Sequence, residues 1–242
     1  MKLVDHLTGS GGFLFRWRSY LPLVLLPAFL LSLLDSRDLF GSRGWERAWG
    51  VGCLVVSLLG LAIRVWTTGT APSGASERGT VAPYAGTLST RGVYSIVRHP
   101  LYVGNSVVAL GMACFSRTWY LPVVVVLAAL LYHERICARE EAFLEERFGE
   151  DFRAWAARVP AFFPTRLAYE SAGTGFRWRQ VVGRELHGLF AIGASFFVLA
   201  VVRDSRVLGR LSFDPLWTAI FLATGAAFAV FAVLKRGFGF FR

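Results

Sequence analysis

The chain has 242 residues, is 55% hydrophobic and has a mean hydropathy of +0.50. Soluble domains of this length rarely reach that hydropathy, so the composition excludes an ordinary soluble globular protein and predicts an integral membrane one. The formal net charge of +10 does not point to nucleic acid, because the basic residues flank apolar segments and form no stripe with interleaved aromatics; anionic headgroups and membrane orientation account for them.

Phe13 to Leu34 reads as a first span, kinked by Pro22 and Pro27, which a membrane helix tolerates. No small-residue cleavage site follows it, so it is expected to be retained and not removed as a signal peptide. Asp35 to Arg47 is a polar loop, and Ala48 to Trp66 is a second span with Trp45, Trp49 and Trp66 as interfacial aromatics. Thr67 to Thr90 is rich in Gly, Ser, Thr, Ala and Pro and reads as a linker, or a lid. Span three starts at Pro100, a favoured first helical position, and runs to about Phe115. After an Arg117-Thr118 turn, span four covers about Trp119 to Tyr132. Each limb of this hairpin is shorter than the roughly 20 residues a span requires, so its polar flanks must continue the helices.

His133 to Phe148 is expected to carry the helix onward to a stop at Gly149. A short cap helix then opens at Glu150-Asp151, with Phe152, Trp155 and Val159 on one apolar face suited to lying on the bilayer. Pro160 and Pro164 end it. Gly173 to Arg184 is basic and Trp-bearing, span five is about Leu186 to Val202, and span six is about Pro215 to Leu234. With six spans, the large majority of the 26 Lys and Arg residues fall on the side of the termini. Both termini, and the ends of the hairpin that carry the polar residues, are therefore expected in the cytoplasm. Cys53, Cys114 and Cys137 form no CxxC pair and read as small buried thiols; neither a disulfide nor a metal site is expected.

Two stretches carry chemistry. Arg91 to Gly104 packs Arg98, His99, Tyr94 and Tyr102 against the start of span three, and Arg139 to Gly149 places Glu140 and Glu141 where span four leaves the membrane. Ionisable groups held at that depth are costly and call for pairing or function. His133 and Glu140 are seven apart and share one helix face.

The pieces Gly92-Val-Tyr94, Arg98-His-Pro-Leu-Tyr102-Val-Gly104, Glu140-Glu-Ala-Phe-Leu144, Phe148-Gly149 and Arg158-Val-Pro160 through Pro164, in that order, resemble the isoprenylcysteine carboxyl methyltransferase and phospholipid N-methyltransferase superfamily. The spans read above make an all-α integral membrane protein of about six transmembrane helices, and the resemblance implies where its cofactor site lies. In it, the short hairpin and a cytoplasmic cap helix form a site for S-adenosyl-L-methionine. Three regions are then expected: 1–90 with two spans, a methyltransferase core over 91–166, and a two-span extension over 167–242. The resemblance marks Tyr94, His99, Pro100, Tyr102, Gly104, Glu140 and Glu141 for the cofactor, and Arg98, His133 and Arg135 for catalysis. Gly104 would allow close approach to the ligand, and Arg135 would orient a substrate carboxylate. The implied acceptor is a lipid or prenylated molecule entering from the bilayer. Phe152 departs from the family's usual Tyr, and spans five and six have no counterpart in the family's minimal core.

Two competing readings keep the scaffold. Membrane sterol reductases resemble the same Arg-His-Pro stretch and use NADPH, but continue with an acidic residue where Asn105 stands. A non-catalytic membrane subunit would keep the hairpin and dock a partner on the last two spans.

Overall fold

The computed structural model describes residues 24–35, 42–71, 86–173 and 175–237. Seven α-helices occur among them: α1 (Leu26–Leu34), α2 (Arg43–Thr70), α3 (Pro100–Phe115), α4 (Tyr120–Phe148), α5 (Glu150–Ala156), α6 (Trp178–Leu208) and α7 (Pro215–Gly237). The described residues contain no strand; their one β-bridge joins Gly92 to Glu170.

Four helices contain stretches long and apolar enough to cross a bilayer: Gly44–Thr70, Tyr120–Phe148, Trp178–Leu208 and Pro215–Lys235. Helix α3, 16 residues long, falls below that length; the expected helical continuation through the polar flank occurs in α4, which runs on to Phe148, but not before α3, whose N-cap is His99. The expected first span begins outside the described residues, which show only its last nine as α1. Six spans are thus an expectation that the described residues do not complete. The loop expected from Thr67 also lies mostly outside them.

Three boundaries differ from expectation. Helix α2 begins five residues earlier than expected, because Ser42 caps it by accepting from the Trp45 backbone N–H at 3.4 Å. It also continues to Thr70, where Thr67 and Thr70 hydroxyls bond carbonyls one turn back. Helix α6 takes in the segment expected to be juxtamembrane, starting at Trp178 and closing on Gly209 at φ +63. Finally, α5 does not lie on the bilayer: Phe152, Trp155 and Val159 are buried against Leu88, Tyr94, Leu144 and Phe148 of the protein itself. Gly149, at φ +53, makes the sharp turn that folds α5 back.

Helices α2 and α3 form the closest pair. A Cβ on Gly60 would stand 2.6 Å from the Gly104 carbonyl, and one on Gly104 would stand 2.8 Å from the Gly60 carbonyl. The seam needs both glycines for the backbones to meet, as small residues do in membrane bundles. Phe115, Phe196 and Trp217 stack edge and face at ring separations of 5.1 and 5.5 Å. They tie α3 to α6 and α7 in the main core. Helix α1 packs at the junction of α3 and α4, in a cluster with Ala109 and Ala113 of α3 and Leu121 and Val125 of α4.

Candidate functional site

The residues before α3 are held extended by the chain that follows α5. The Arg98 N–H donates to the Pro160 carbonyl at 2.8 Å and the His99 N–H to the Ala161 carbonyl at 3.1 Å. Upstream, Gly92 at φ +67 donates to the Glu170 carbonyl at 2.8 Å. Pro100 then starts α3 at a position where no N–H is required. These pins fix the two residues that face the end of α4.

The two stretches singled out in the sequence meet there. Arg98 grips Glu141 with two nitrogens, Nε at 2.9 Å and Nη2 at 3.2 Å. His99 Nε2 pairs with the same carboxylate at 2.7 Å. The remaining arm of Arg98, Nη1, donates to the Ala156 and Val159 carbonyls, both at 2.8 Å, so one guanidinium joins α3's start, α4 and the end of α5. Glu140 is placed differently. Its Oε1 accepts from the Tyr102 hydroxyl at 2.6 Å, and its Oε2 stands 3.7 Å from His99 Nδ1. Both carboxylates keep about a quarter of their side-chain surface exposed, 24% and 25%, so each is within reach of a ligand.

Aromatic faces line the same place. The Tyr102 ring lies 4.9 Å from that of His133, and His99 lies 5.9 Å from Tyr102 and 5.8 Å from Phe162. His133 is buried, with Nδ1 3.2 Å from the Ser106 hydroxyl. Tyr94 joins through its backbone, whose carbonyl accepts from Trp155 Nε1 at 3.1 Å. Burial pushes its phenol up to about 12, Glu140 adds to the rise and Arg184 opposes it, so both charged groups lie in electrostatic reach of the ring.

Two expected residues make contacts outside the cluster. Arg135 turns away: its Nη1 donates to the Leu131 carbonyl, one turn back on α4. It stands about 140° around the helix from Glu140 at 100° per residue. At Gly104 the space a Cβ would fill is taken by the Arg64 stem at 2.6 Å and the Gly60 carbonyl, so the missing side chain serves helix packing.

A second polar centre was missed. Arg64 on α2 is bound by Glu185 on α6 through Nε–Oε2 at 2.7 Å and Nη2–Oε1 at 3.0 Å, and Thr68 donates to Oε1 at 3.0 Å. Arg64 Nη1 donates to Asn105 Oδ1 at 2.6 Å. Glu185 is only 4% exposed, and two charges brought out of water must be matched in this way. An Arg inside an apolar run was the available signal; nothing local named its partner, 121 residues away.

A cavity of about 490 Å³ lined by Asp35, Trp49, Cys114, Arg117, Thr118, Trp119 and Pro122 sits at the opposite end of α3 and α4. Among the described residues no group of three His, Cys, Asp or Glu side chains is arranged to hold a metal ion. The cluster's donor set suits a cationic, hydroxyl-bearing organic ligand. Adjacent carboxylates can take an ammonium or vicinal hydroxyls, and aromatic faces attract an onium charge.

Comparison with known proteins adds independent findings. The model of the phospholipid methyltransferase family matches residues 48–151. The cobalt-zinc-cadmium resistance protein CzcN of Cupriavidus metallidurans is 34% identical over 167 residues, covering 67% of this chain and 70% of that protein. The nickel-cobalt-cadmium resistance protein NccN of Alcaligenes xylosoxydans xylosoxydans is 29% identical over 67% of this chain and 71% of its own length. The protein-S-isoprenylcysteine O-methyltransferase of Schizosaccharomyces pombe is 31% identical over 77 residues, about a third of either chain. No solved structure matches.

Proposed function

This chain belongs to the isoprenylcysteine carboxyl methyltransferase and phospholipid methyltransferase superfamily, and on that premise we propose that it transfers the methyl group of S-adenosyl-L-methionine to a lipid or prenylated acceptor within the membrane. The observation that carries this reading is the convergence of Glu140 and Glu141 on Tyr102 and His99 at one end of an otherwise apolar hairpin. The bound cofactor would supply an electrophilic methyl on a sulfonium, which an acceptor lone pair takes in line as the carbon–sulfur bond breaks.

The chain's own residues would do the rest by position. Glu140, with Tyr102 on one oxygen, is the carboxylate best placed to take the cofactor's hydroxyls or ammonium. Glu141 is occupied by Arg98 and His99 and organises the wall from behind. The Tyr102, His133, His99 and Phe162 rings pack in series beside the carboxylates; such a wall would align bound partners and raise their effective concentration. His133 carries a second imidazole nitrogen beyond the one near Ser106 and is the nearest candidate base for a protonated acceptor. The metal-resistance names belong to two relatives; the reading for this chain rests on the carboxylate and aromatic cluster.

The test is to incubate the purified protein with methyl-labelled cofactor and a total membrane lipid extract. Label should enter the organic phase and be lost on replacing Glu140 by Gln. Binding of NADPH with no binding of S-adenosylmethionine would overturn the assignment in favour of a reductase.

A further inference from the structure

Helix α3 packs against both α4 and α6, whereas α4 and α6 share no comparable contact among the described residues. The strip of α3 between them is bordered by two helices that do not meet each other. Its far half, at Ala109 and Ala113, clusters with α1. Its near half carries Tyr102, Asn105 and Ser106, a run of polar groups unusual for a helix in an apolar bundle. Tyr102 and Ser106 lean towards α4, against His133. Asn105 leans the other way, towards the Arg64–Glu185 pair, and is exposed.

The orientation of the Asn105 amide follows from its partner. Arg64 Nη1 can only donate, so the atom 2.6 Å away is the carbonyl oxygen Oδ1. The Nδ2 group, with two N–H donors, is then turned from Arg64 towards the open side. The amide cannot flip without facing donor to donor. Arg64 is in turn immobilised by two bonds to buried Glu185, itself held by Thr68. Three helices thus fix one exposed amide, three residues from the Tyr102 that binds Glu140. An exposed polar residue on a membrane protein does not need such support merely to meet lipid.

We propose that Asn105 is the specificity-determining contact for the methyl acceptor, donating from Nδ2 to an anionic oxygen of its headgroup, with Arg64 and Glu185 as positioning residues supplied by α2 and the C-terminal extension. This rests on the methyltransferase reading above and adds which part of the chain recognises the acceptor. Because Glu185 offsets the charge of Arg64, the site offers directed N–H groups and not net positive charge. It therefore selects by geometry an oxygen that can accept, a carboxylate or a phosphoryl, and gains nothing from an ammonium nitrogen, which cannot accept. It also gives the extension a role in the site, since without α6 the amide has no fixed direction.

Methyl transfer is measured in two arms, a prenylated cysteine carboxylate in neutral phosphatidylcholine vesicles and an anionic phospholipid in the same vesicles, and the arm that accepts label identifies the source of the oxygen. In that arm Asn105→Leu, a near-isosteric loss of the donor at an exposed position, should raise the acceptor KM about tenfold, the loss of one charge-assisted hydrogen bond. The binding of S-adenosylmethionine should stay within twofold. Asn105→Asp should be at least as damaging, since it presents an acceptor to an acceptor. Glu185→Gln, which keeps the shape but loosens Arg64, should raise the acceptor KM with kcat unchanged. An acceptor KM unaltered in Asn105→Leu, or a loss of cofactor affinity in its place, overturns the inference while leaving the methyltransferase reading standing. No transfer by the unaltered protein in either arm or to a total lipid extract overturns both.

Discussion

Replacing Glu141 by Gln and Glu140 by Gln should have opposite signatures, although the residues are neighbours with equal exposure. Glu141 receives three donors, Arg98 Nε, Arg98 Nη2 and His99 Nε2, at 2.9, 3.2 and 2.7 Å. Hydrogen bonds to a charged group are worth roughly 1.5–3 kcal/mol each. A Gln retains one carbonyl oxygen and turns an NH₂ towards the others, so about two of the three contacts are lost or inverted. Arg98 keeps its two bonds to the Ala156 and Val159 carbonyls, and water reaches a carboxylate that is 25% exposed, which together reduce the loss to about 2–3 kcal/mol. For a chain of this size that lowers Tm by about 4–12 °C. Glu140→Gln weakens the Tyr102 contact and the longer approach of His99 Nδ1, about 1 kcal/mol, so its Tm should fall by no more than about 4 °C. Its effect should appear on the ligand, as a loss of S-adenosylmethionine affinity of about 10–100-fold. Thermal unfolding in detergent and titration with labelled cofactor read the two quantities separately. A larger Tm loss in Glu140→Gln than in Glu141→Gln, with cofactor affinity intact, would refute this division of roles.

Three further outcomes follow from the geometry. Gly60→Ala and Gly104→Ala should each cost about 1–3 kcal/mol in thermal unfolding, because each Cβ meets backbone on the facing helix at 2.6 to 2.8 Å; Gly44→Ala, with no atom within 4 Å, is the control and should show no loss. Arg135→Ala should leave cofactor affinity and acceptor KM within twofold, since its guanidinium is turned to Leu131; a tenfold loss in either would restore it to the site. The raised Tyr94 pKa favours the folded state while the phenol is protonated. Its contribution should be fully present below pH 10 and be lost as pH rises from 10 to about 12, when the unfolded chain ionises first. A pH series of unfolding midpoints should show that fall in the native protein and a flatter limb in Tyr94→Phe.

The hairpin and its polar ends were legible because their signals are local: Pro100 at a helix start, an apolar limb that stops at Phe115, and His133 and Glu140 spaced to share a face. That Arg98 and His99 would meet Glu141, some forty residues on, came through the family resemblance and not through periodicity, which fixes faces but not partners. The α5 face was read with the right residues and the wrong neighbour. Phe152 and Trp155 do share a side, yet hydrophobicity alone cannot say whether lipid or protein covers it. Gly104 was assigned to a ligand because a glycine beside a motif looks like room for one. The space was taken by the Arg64 stem, visible only once α2 and α3 are packed. Arg64 and Glu185 were not singled out, since each stands near the end of an apolar run and their pairing is set by tertiary structure.

That pairing has a consequence for how the protein is made. Arg64 leaves the ribosome 121 positions before Glu185, so α2 is synthesised well before the carboxylate that matches its guanidinium. The ion pair can close only once α6 has been made, and until then Asn105 of α3 is the partner within reach.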